Sequence, residues 1–247
     1  MLVAVGAARS SPGVTTACLA IAGCLERSVV IEGDPDGSVL AARFGLDREP
    51  NLASLAAGAR LGLDAEGLRQ HAQTLPGGVE VIVGLPADSA VALWRSAGSR
   101  LATSLAVLGS GAMVVVDAGR LTPTSPTGPL LETADMTVLV TRPILEDLHA
   151  VAHRLEVIGA STTHVAIVLV GDKPYGPREI GDRLGVDVLG VLADDRSTAD
   201  ALAGRSPRTV GRSVVSSPLA RSARAVAEAL LLRQGDPATP SPVEVVT

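Results

Sequence analysis

The sequence predicts an α/β protein in which a mostly parallel sheet is covered by helices on both faces. Short runs rich in Val, Ile and Leu alternate with helical stretches along nearly all of the 247 residues. This alternation is typical of parallel sheets, because each strand returns to the same edge through a helix. Hydrophobic residues make up 47% of the chain and aromatic residues 1%, so aliphatic side chains must fill the core. We expect one three-layer domain over residues 1–234.

The composition narrows the class of protein. A formal net charge of −5 argues against a broadly basic nucleic-acid-binding protein. Cys18 and Cys24 share one predicted helix at a spacing that suits no metal site, so we expect small buried side chains in a reducing compartment. No apolar run is long enough to span a bilayer, and no charged signal-peptide flank is present. We expect a cytoplasmic protein with no direct membrane binding and a Pro-rich disordered tail over residues 235–247.

The first 22 residues have the layout of a phosphate-binding loop. An apolar run over residues 2–5 is followed by small residues over 6–13, and then by an apolar helix. Backbone N–H groups and the positive end of the helix dipole would favour an anion there. Against the P-loop pattern G-x-x-x-x-G-K-[ST], Gly13 is the second glycine, Val14 replaces the lysine and Thr15 supplies the hydroxyl. The alternative is a Gly/Ser-rich turn that leads into a helix.

Acidic residues follow two later predicted strands. The strand over residues 28–31 ends at Glu32 and Asp34, and the apolar strand over 112–120 carries Asp117. Parallel strands end at one edge of a sheet, so we expect these acids beside the loop. A buried strand that ends in aspartate is typical of the Walker B acid, which reaches a Mg²⁺-bound water. For Asp34 the alternative is an Asx turn that ends a strand.

Between these strands the pattern is helical over residues 38–73, with breaks at Pro50 and Gly62. Asn51 and Asp64 stand where N-caps are expected. Trp94 lies within the apolar pattern of a later helix, so we expect it to pack in the core rather than to stack on a base.

The segments described above resemble those of the ParA/MinD/CpaE-like ATPases, both in their order and in their sequence. The deviant P-loop of that family reads K-G-G-x-G-K-T-T. Residues 9–16 keep Gly13, Thr15 and Thr16 of that pattern, and Arg9 takes the place of the signature lysine. The segment around Asp34 is similar to the family's D-x-D-P. Residues 134–143 and residues 186–205 resemble two further signatures of the family. In the second of these, Ala193 stands where the family has proline. The resemblance extends over residues 2–234.

This resemblance implies an ATP-binding switch that requires Mg²⁺, dimerises across the phosphates and takes part in positioning chromosomes, septa, or secretion and pilus machinery through a further protein partner. The implied nucleotide-binding residues are Ser10, Ser11, Pro12, Gly13, Val14, Thr15 and Thr16, with Asp172 and Lys173 beside the base. The implied metal site comprises Thr15, Asp117 and Asp34. Asp34 would position the attacking water, and Arg9 would supply a cation.

Val14 leaves two functional hypotheses open. A P-loop lysine stabilises charge on the transferring phosphoryl group, and loss of such a cation costs about 10²-fold or more in rate. The first hypothesis is nucleotide binding with slow or absent hydrolysis, in which Arg9 compensates in cis or across a dimer. The second is a pseudo-ATPase that acts as a protein-interaction scaffold. For a third, an α/β metabolic enzyme, the sequence offers no nucleophile and base set.

A basic stretch lies near the C-terminal end of the resemblance. Between Asp200 and Glu228 the chain contains arginines and no acid. ParA-like proteins bind DNA nonspecifically through C-terminal basic residues, so the resemblance implies a DNA contact here. The alternative is a set of scattered surface arginines. The residues are Arg205, Arg208, Arg212, Arg221 and Arg224.

Overall fold

The computed structural model describes residues 1–9, 13–159, 162, 164–206 and 216–234. Within these ranges eight strands form one sheet, in the order β3-β4-β2-β5-β1-β6-β7-β8. All neighbouring strands pair in parallel except β3 and β4, which are antiparallel. The predicted mostly parallel sheet is confirmed. The strands are β1 (Leu2–Ala7), β2 (Ser28–Glu32), β3 (Gln73–Thr74), β4 (Glu80–Ile82), β5 (Met113–Arg120), β6 (Met136–Thr141), β7 (Val165–Val170) and β8 (Asp187–Leu192).

Helices alternate with these strands and cover both faces of the sheet. Within the described residues they are α1 (Val14–Ala22), α2 (Leu40–Phe44), α3 (Leu52–Gly58), α4 (Ala65–Gln70), α5 (Ala87–Gly109), α6 (Gly128–Thr133), α7 (Leu145–Ile158), α8 (Pro177–Leu184), α9 (Arg196–Leu202) and α10 (Pro218–Gln234). None of these helices has the length and apolarity needed to cross a membrane. The assignment of residues 1–234 to a single domain stays a prediction.

The central strand β1 supplies side chains to two apolar cores. Leu2 and Ala4 belong to the core beneath α5 and α7. Val3 and Val5 belong to the core beneath α1 and α10. Successive residues of a strand face opposite sides of a sheet, so a strand that is apolar throughout needs helices on both sides. The predicted three-layer arrangement follows from this packing.

Trp94 ties α5 to the acidic loop that follows β2. Its side chain is 1% exposed, and its indole Nε1 donates a hydrogen bond of 2.8 Å to the carbonyl oxygen of Gly33. A Cβ atom at Gly33 would lie 2.9 Å from Cζ2 of the indole, so only glycine allows this close approach. The prediction that Trp94 packs in the core is confirmed, and the indole also fixes the start of the acidic loop.

The segment between β2 and β4 follows the predicted caps but not the predicted helix end. Asn51 accepts hydrogen bonds from the first turn of α3 in a capping box, and Asp64 caps α4. The sequence pattern predicts a helical stretch up to Gln73, but α4 ends at Gln70, and Gln73 begins the short edge strand β3. The side chain of Gln73 donates to the backbone carbonyl of Asp47, which holds this edge in place.

Candidate functional site

The candidate site lies at the carboxyl edge of the sheet, where β1 leads into α1. Gly13 is the N-cap residue of α1 and has a left-handed backbone, with φ of 84°. Among the described residues no side chain caps the helix, and its first turn carries no acidic residue. The N–H groups of that turn therefore remain available to an anion, in the field of the helix dipole. The predicted phosphate contacts of Ser10, Ser11 and Pro12 lie outside the described residues.

Val14 is the first residue of α1 and lies half-buried against the core beneath that helix. Thr15 and Thr16 follow it and are also half-buried. An apolar side chain at this position gains by packing on the core. The position that holds the P-loop lysine in the consensus pattern therefore serves packing in this chain.

Thr15 and Asp117 are in direct contact at the centre of the site. The Thr15 hydroxyl donates a hydrogen bond of 2.6 Å to Oδ2 of Asp117, and the Gly119 N–H donates one of 3.0 Å to Oδ1. Asp117 is brought there by the parallel register of β5 with β1, in which it lies opposite Val5. Its carboxyl is 1% exposed, and burial, reinforced by the nearby charge of Asp34, raises its pKa to about 7.

Asp34 lies next to this pair. Its Oδ1 accepts a hydrogen bond of 2.8 Å from the N–H of Asp36, which is the geometry of an Asx turn. Its carboxylate also fills the space beside the Cα atom of Gly119, where a Cβ atom would overlap it. Burial raises the pKa of Asp34, and the charges of Asp36 and Glu32 act in the same direction. The residue therefore forms the turn and, at the same time, reaches the Asp117 side of the site.

Glu32, the other acidic position of this loop, acts as an internal anchor. Its carboxylate is 2% exposed and accepts four hydrogen bonds. Oε1 accepts from the N–H groups of Val39 and Leu40, at 2.6 and 3.0 Å. Oε2 accepts from the Ser38 hydroxyl at 2.7 Å and from the Gly84 N–H at 2.9 Å. With all its acceptors directed inward, Glu32 holds the loop that carries Asp34.

A second polar cluster lies beside the end of β1, on the β6 side. Asp147, in the first turn of α7, accepts a hydrogen bond of 2.9 Å from Nε of Arg142. Nε of Arg9 lies 3.9 Å from the other carboxylate oxygen. Arg9 is therefore near the candidate site and paired with an acid. Sequence reasoning did not identify Arg142 or Asp147, since neither belongs to a P-loop motif.

The predicted base-binding residues lie farther along the same edge. Asp172 and Lys173 are exposed in the loop after β7, which follows Gly171 with its φ of 82°. β6 separates β7 from β1 in the sheet. In the next loop, Asp195 accepts hydrogen bonds from the backbone and hydroxyl of Thr198, which lower its pKa. Asp195 therefore caps the N-terminus of α9.

The donor set at the centre suits a hard cation with an anion beside it. Within the described ranges, no three His, Cys, Asp or Glu side chains come together as a metal site. At nucleotide sites Mg²⁺ is typically held by one or two carboxylates together with phosphate oxygens and water. The carboxylates of Asp117 and Asp34, the Thr15 hydroxyl and the uncapped start of α1 together provide that combination.

Comparison with known proteins identifies the fold. No family model and no curated protein matches the chain. Among solved structures, MinD of Pyrococcus horikoshii OT3 complexed with Mg-ADP matches with a TM-score of 0.73 and 15% identity, over 96% of this chain and 98% of that one. Pyrococcus furiosus MinD matches at 0.71 with 16% identity, over 94% and 98%. A ParA family ATPase from Chlorobium tepidum TLS matches at 0.70 with 17% identity, over 94% and 98%. The chain therefore has the fold of the MinD and ParA P-loop ATPases.

Proposed function

We propose that this chain is a ParA/MinD-like switch protein that binds ATP with Mg²⁺ and takes part in intracellular positioning or partitioning. The observation that carries the proposal is the contact of 2.6 Å between Thr15 and Asp117, directly below the uncapped N-terminus of α1. A hydroxyl from the helix start and a buried carboxylate from the neighbouring strand are the pair that a Mg²⁺-nucleotide requires. Hydrolysis is slow or absent, since Val14 cannot supply the lysine charge.

Each residue of the site has a distinct part in this proposal. The N–H groups of the first turn of α1, beginning at Gly13, bind phosphate oxygens. Thr15 and Asp117 hold Mg²⁺, and Asp34, beside them, orients water. When bound, the metal ion neutralises charge on the phosphates. Asp172 and Lys173 border the base, and Arg9 supplies positive charge at the phosphate side.

The proposal extends to partners. A nucleotide-dependent homodimer in the cytoplasm, engaged with a further protein, is consistent with the fold neighbours, one of which is a MinC:MinD cell division protein complex from Aquifex aeolicus. Nonspecific DNA binding would use Arg205, Arg221 and Arg224, of which the latter two are exposed on α10. Arg208 and Arg212, which belong to the same predicted patch, lie outside the described residues.

Two observations favour the second candidate function, a pseudo-ATPase scaffold. Val14 packs against the core in place of a phosphate-binding lysine. Arg9, the nearest substitute cation on the loop, is paired with Asp147. Both features are compatible with a site that has exchanged catalysis for a role in protein interaction.

Thermal unfolding in the presence of increasing Mg-ATP distinguishes binding from its absence. A ligand at 100 times its dissociation constant adds about 2.7 kcal/mol to the free energy of unfolding, which raises the melting temperature by several degrees. We expect such a rise with Mg-ATP and a smaller one with Mg-AMP, which lacks two phosphates. No rise at millimolar Mg-ATP would support the scaffold.

If Mg-ATP binds, steady-state hydrolysis decides whether chemistry follows. Asp34→Ala removes the carboxylate that would orient water, and Arg9→Ala removes the loop cation. We expect Asp34→Ala to retain nucleotide binding and Arg9→Ala to bind more weakly. At saturating Mg-ATP, both variants should lose the residual hydrolysis. Phosphate release that is no faster than without protein, in the wild-type chain, would show that the site binds the nucleotide without hydrolysing it.

A further inference from the structure

Two arginines that follow the ends of neighbouring strands converge on one buried carboxylate. β1 and β6 pair in parallel with Gly6 opposite Leu139, so Arg9 and Arg142 each follow by three residues. Both reach Asp147: Nε of Arg9 lies near one carboxylate oxygen and Nε of Arg142 near the other. Arg9 directly precedes the loop that leads to Gly13. The cluster of Arg9, Arg142 and Asp147 therefore borders the mouth of the proposed phosphate site.

The charges in this cluster do not cancel. Asp147 has an 8% exposed side chain, whereas the side chains of Arg9 and Arg142 are 55% and 46% exposed. Two cations on one carboxylate leave one positive charge that faces solvent. Glu146, the other acid in the first turn of α7, is exposed and has no ion pair with either arginine among the described residues.

Arg142 keeps its two terminal nitrogens available. Its Nε donates to Asp147, and within the described residues neither Nη1 nor Nη2 makes a hydrogen bond. A guanidinium carries five N–H donors in a planar fork that matches two oxygens of a phosphate. A carboxylate bound at Nε holds that fork in one orientation, so less conformational entropy is lost when an anion binds.

We propose that Arg142, oriented by Asp147 and acting with Arg9, binds the nucleotide phosphates and supplies the positive charge that Val14 withholds from the P-loop. The inference rests on the proposed function, because it requires a nucleotide at the start of α1. Arg142 contacts the phosphates. Asp147 is a positioning residue that acts through the two arginines.

The test is the dissociation constant of a fluorescent ATP analogue, mant-ATP, with Mg²⁺ and the full chain. Arg142→Ala should weaken binding by at least about tenfold, as expected for loss of a charge-assisted hydrogen bond. Arg142→Lys keeps the charge but loses the planar fork, so we expect an intermediate constant. Arg233→Ala is the matched control, since Arg233 pairs with Asp187 at the opposite edge of the sheet, and we expect it to bind as the wild type does.

Asp147→Asn tests whether Asp147 neutralises the two arginines or positions them, because the two roles predict opposite changes in mant-ATP affinity. If Asp147 merely neutralised the arginines, its removal would leave more positive charge and tighten mant-ATP binding. If it positions them, the variant binds more weakly although its net charge is more favourable. We expect weaker binding, by about threefold to tenfold. Tighter binding would overturn the positioning role.

Salt dependence separates phosphate contact from loss of structure. Each cation in contact with phosphate adds to the decrease of affinity with rising salt, so Arg142→Ala should show a shallower decrease than the wild type and Arg233→Ala should not. Thermal melting confirms that each variant is folded. Wild-type affinity and salt dependence in both Arg142 variants would overturn the inference and leave the proposed function intact. No binding of mant-ATP by the wild-type chain would overturn both.

Discussion

The carboxylate of Asp34 occupies the space that a side chain at Gly119 would need. Gly119 follows Asp117 by two residues on β5 and has a φ of 62°, a conformation that side chains disfavour. A Cβ atom there would overlap the Asp34 carboxylate. One glycine thus lets the acidic loop after β2 approach the buried aspartate of β5, and this approach brings the two carboxylates to one site.

We predict that Gly119→Ala lowers the free energy of unfolding by about 2 kcal/mol or more. The left-handed backbone costs about 1–3 kcal/mol for a residue with a side chain, and the displacement of Asp34 adds to that cost. Urea unfolding measures the change. Gly111→Ala is the control, since a Cβ atom at Gly111 would have no atom within 4 Å, and we expect a change below about 0.5 kcal/mol. Equal effects in the two variants would contradict this account.

The sequence predicted the parts of the fold that depend on local pattern. β1, β2 and β5 are built on apolar runs, and each begins and ends within about two residues of its expected bounds. β3 could not be predicted, because a pair of residues carries no periodicity and Gln73 is held by contacts with the backbone of Asp47. Local pattern therefore sets the layers, and distant contacts set the edge.

The same division applies to the site. Gly13, Thr15 and Asp117 could be selected because each stands at a recognisable point of a strand, loop or helix. The anchoring role of Glu32 depends in part on the N–H of Gly84, which is 52 residues away. The pairing of Arg142 with Asp147 is local in sequence, but the position of this pair beside Arg9 depends on the register between β1 and β6. Such contacts become visible only when the strands are placed side by side.

We predict that Asp117 makes stability fall as pH rises. The pKa of Asp117 is about 7 in the folded chain against 3.8 in the unfolded chain, so between these values the folded state holds a proton that the unfolded state has lost. The full gap corresponds to about 4 kcal/mol, of which about 2–3 kcal/mol is lost between pH 5 and 8. Binding of Mg²⁺ requires the ionised carboxyl and is favoured at the upper end of this range.

The comparison is with Asp117→Asn, by urea unfolding at several pH values without Mg²⁺. His71, whose pKa is lowered by burial, makes stability rise with pH in the same window. Both proteins contain His71, so its contribution cancels in the difference between them. Wild-type and variant curves that run parallel from pH 5 to 8 would show that Asp117 ionises normally.

We predict that Glu32→Gln lowers the free energy of unfolding by about 2–4 kcal/mol. A buried carboxylate here accepts four hydrogen bonds, and an amide nitrogen in place of one oxygen would face donors with no acceptor. Glu80→Gln is the control, since the Glu80 side chain makes no hydrogen bond within the described part of the chain, and we expect a change below about 0.5 kcal/mol. Urea unfolding of the two variants provides the measurement, and equal values would remove the anchoring role.

We predict that the exposed arginines of α10 retain the chain on DNA at low salt. Arg221 and Arg224 lie on the solvent face of that helix. Their replacement by alanine should release the chain from immobilised duplex DNA at lower salt, because fewer counterions are displaced. The control replaces Arg178 and Arg183 of α8, which changes the net charge equally. Identical elution of both double variants would exclude a DNA-binding surface on α10.

We predict that Val14→Lys raises the rate of Mg-ATP hydrolysis at least about tenfold. Lysine at the start of α1 would supply the cation that stabilises the transferring phosphoryl group, while Thr15, Asp117 and Asp34 already stand around it. Val14→Met is the matched control, with a long side chain and no charge, and we expect it to leave the rate unchanged. Phosphate release at saturating Mg-ATP measures both. A Val14→Lys variant that binds the nucleotide yet hydrolyses no faster would show that the rest of the site is not arranged for catalysis, and that Val14 is a consequence of lost chemistry rather than its cause.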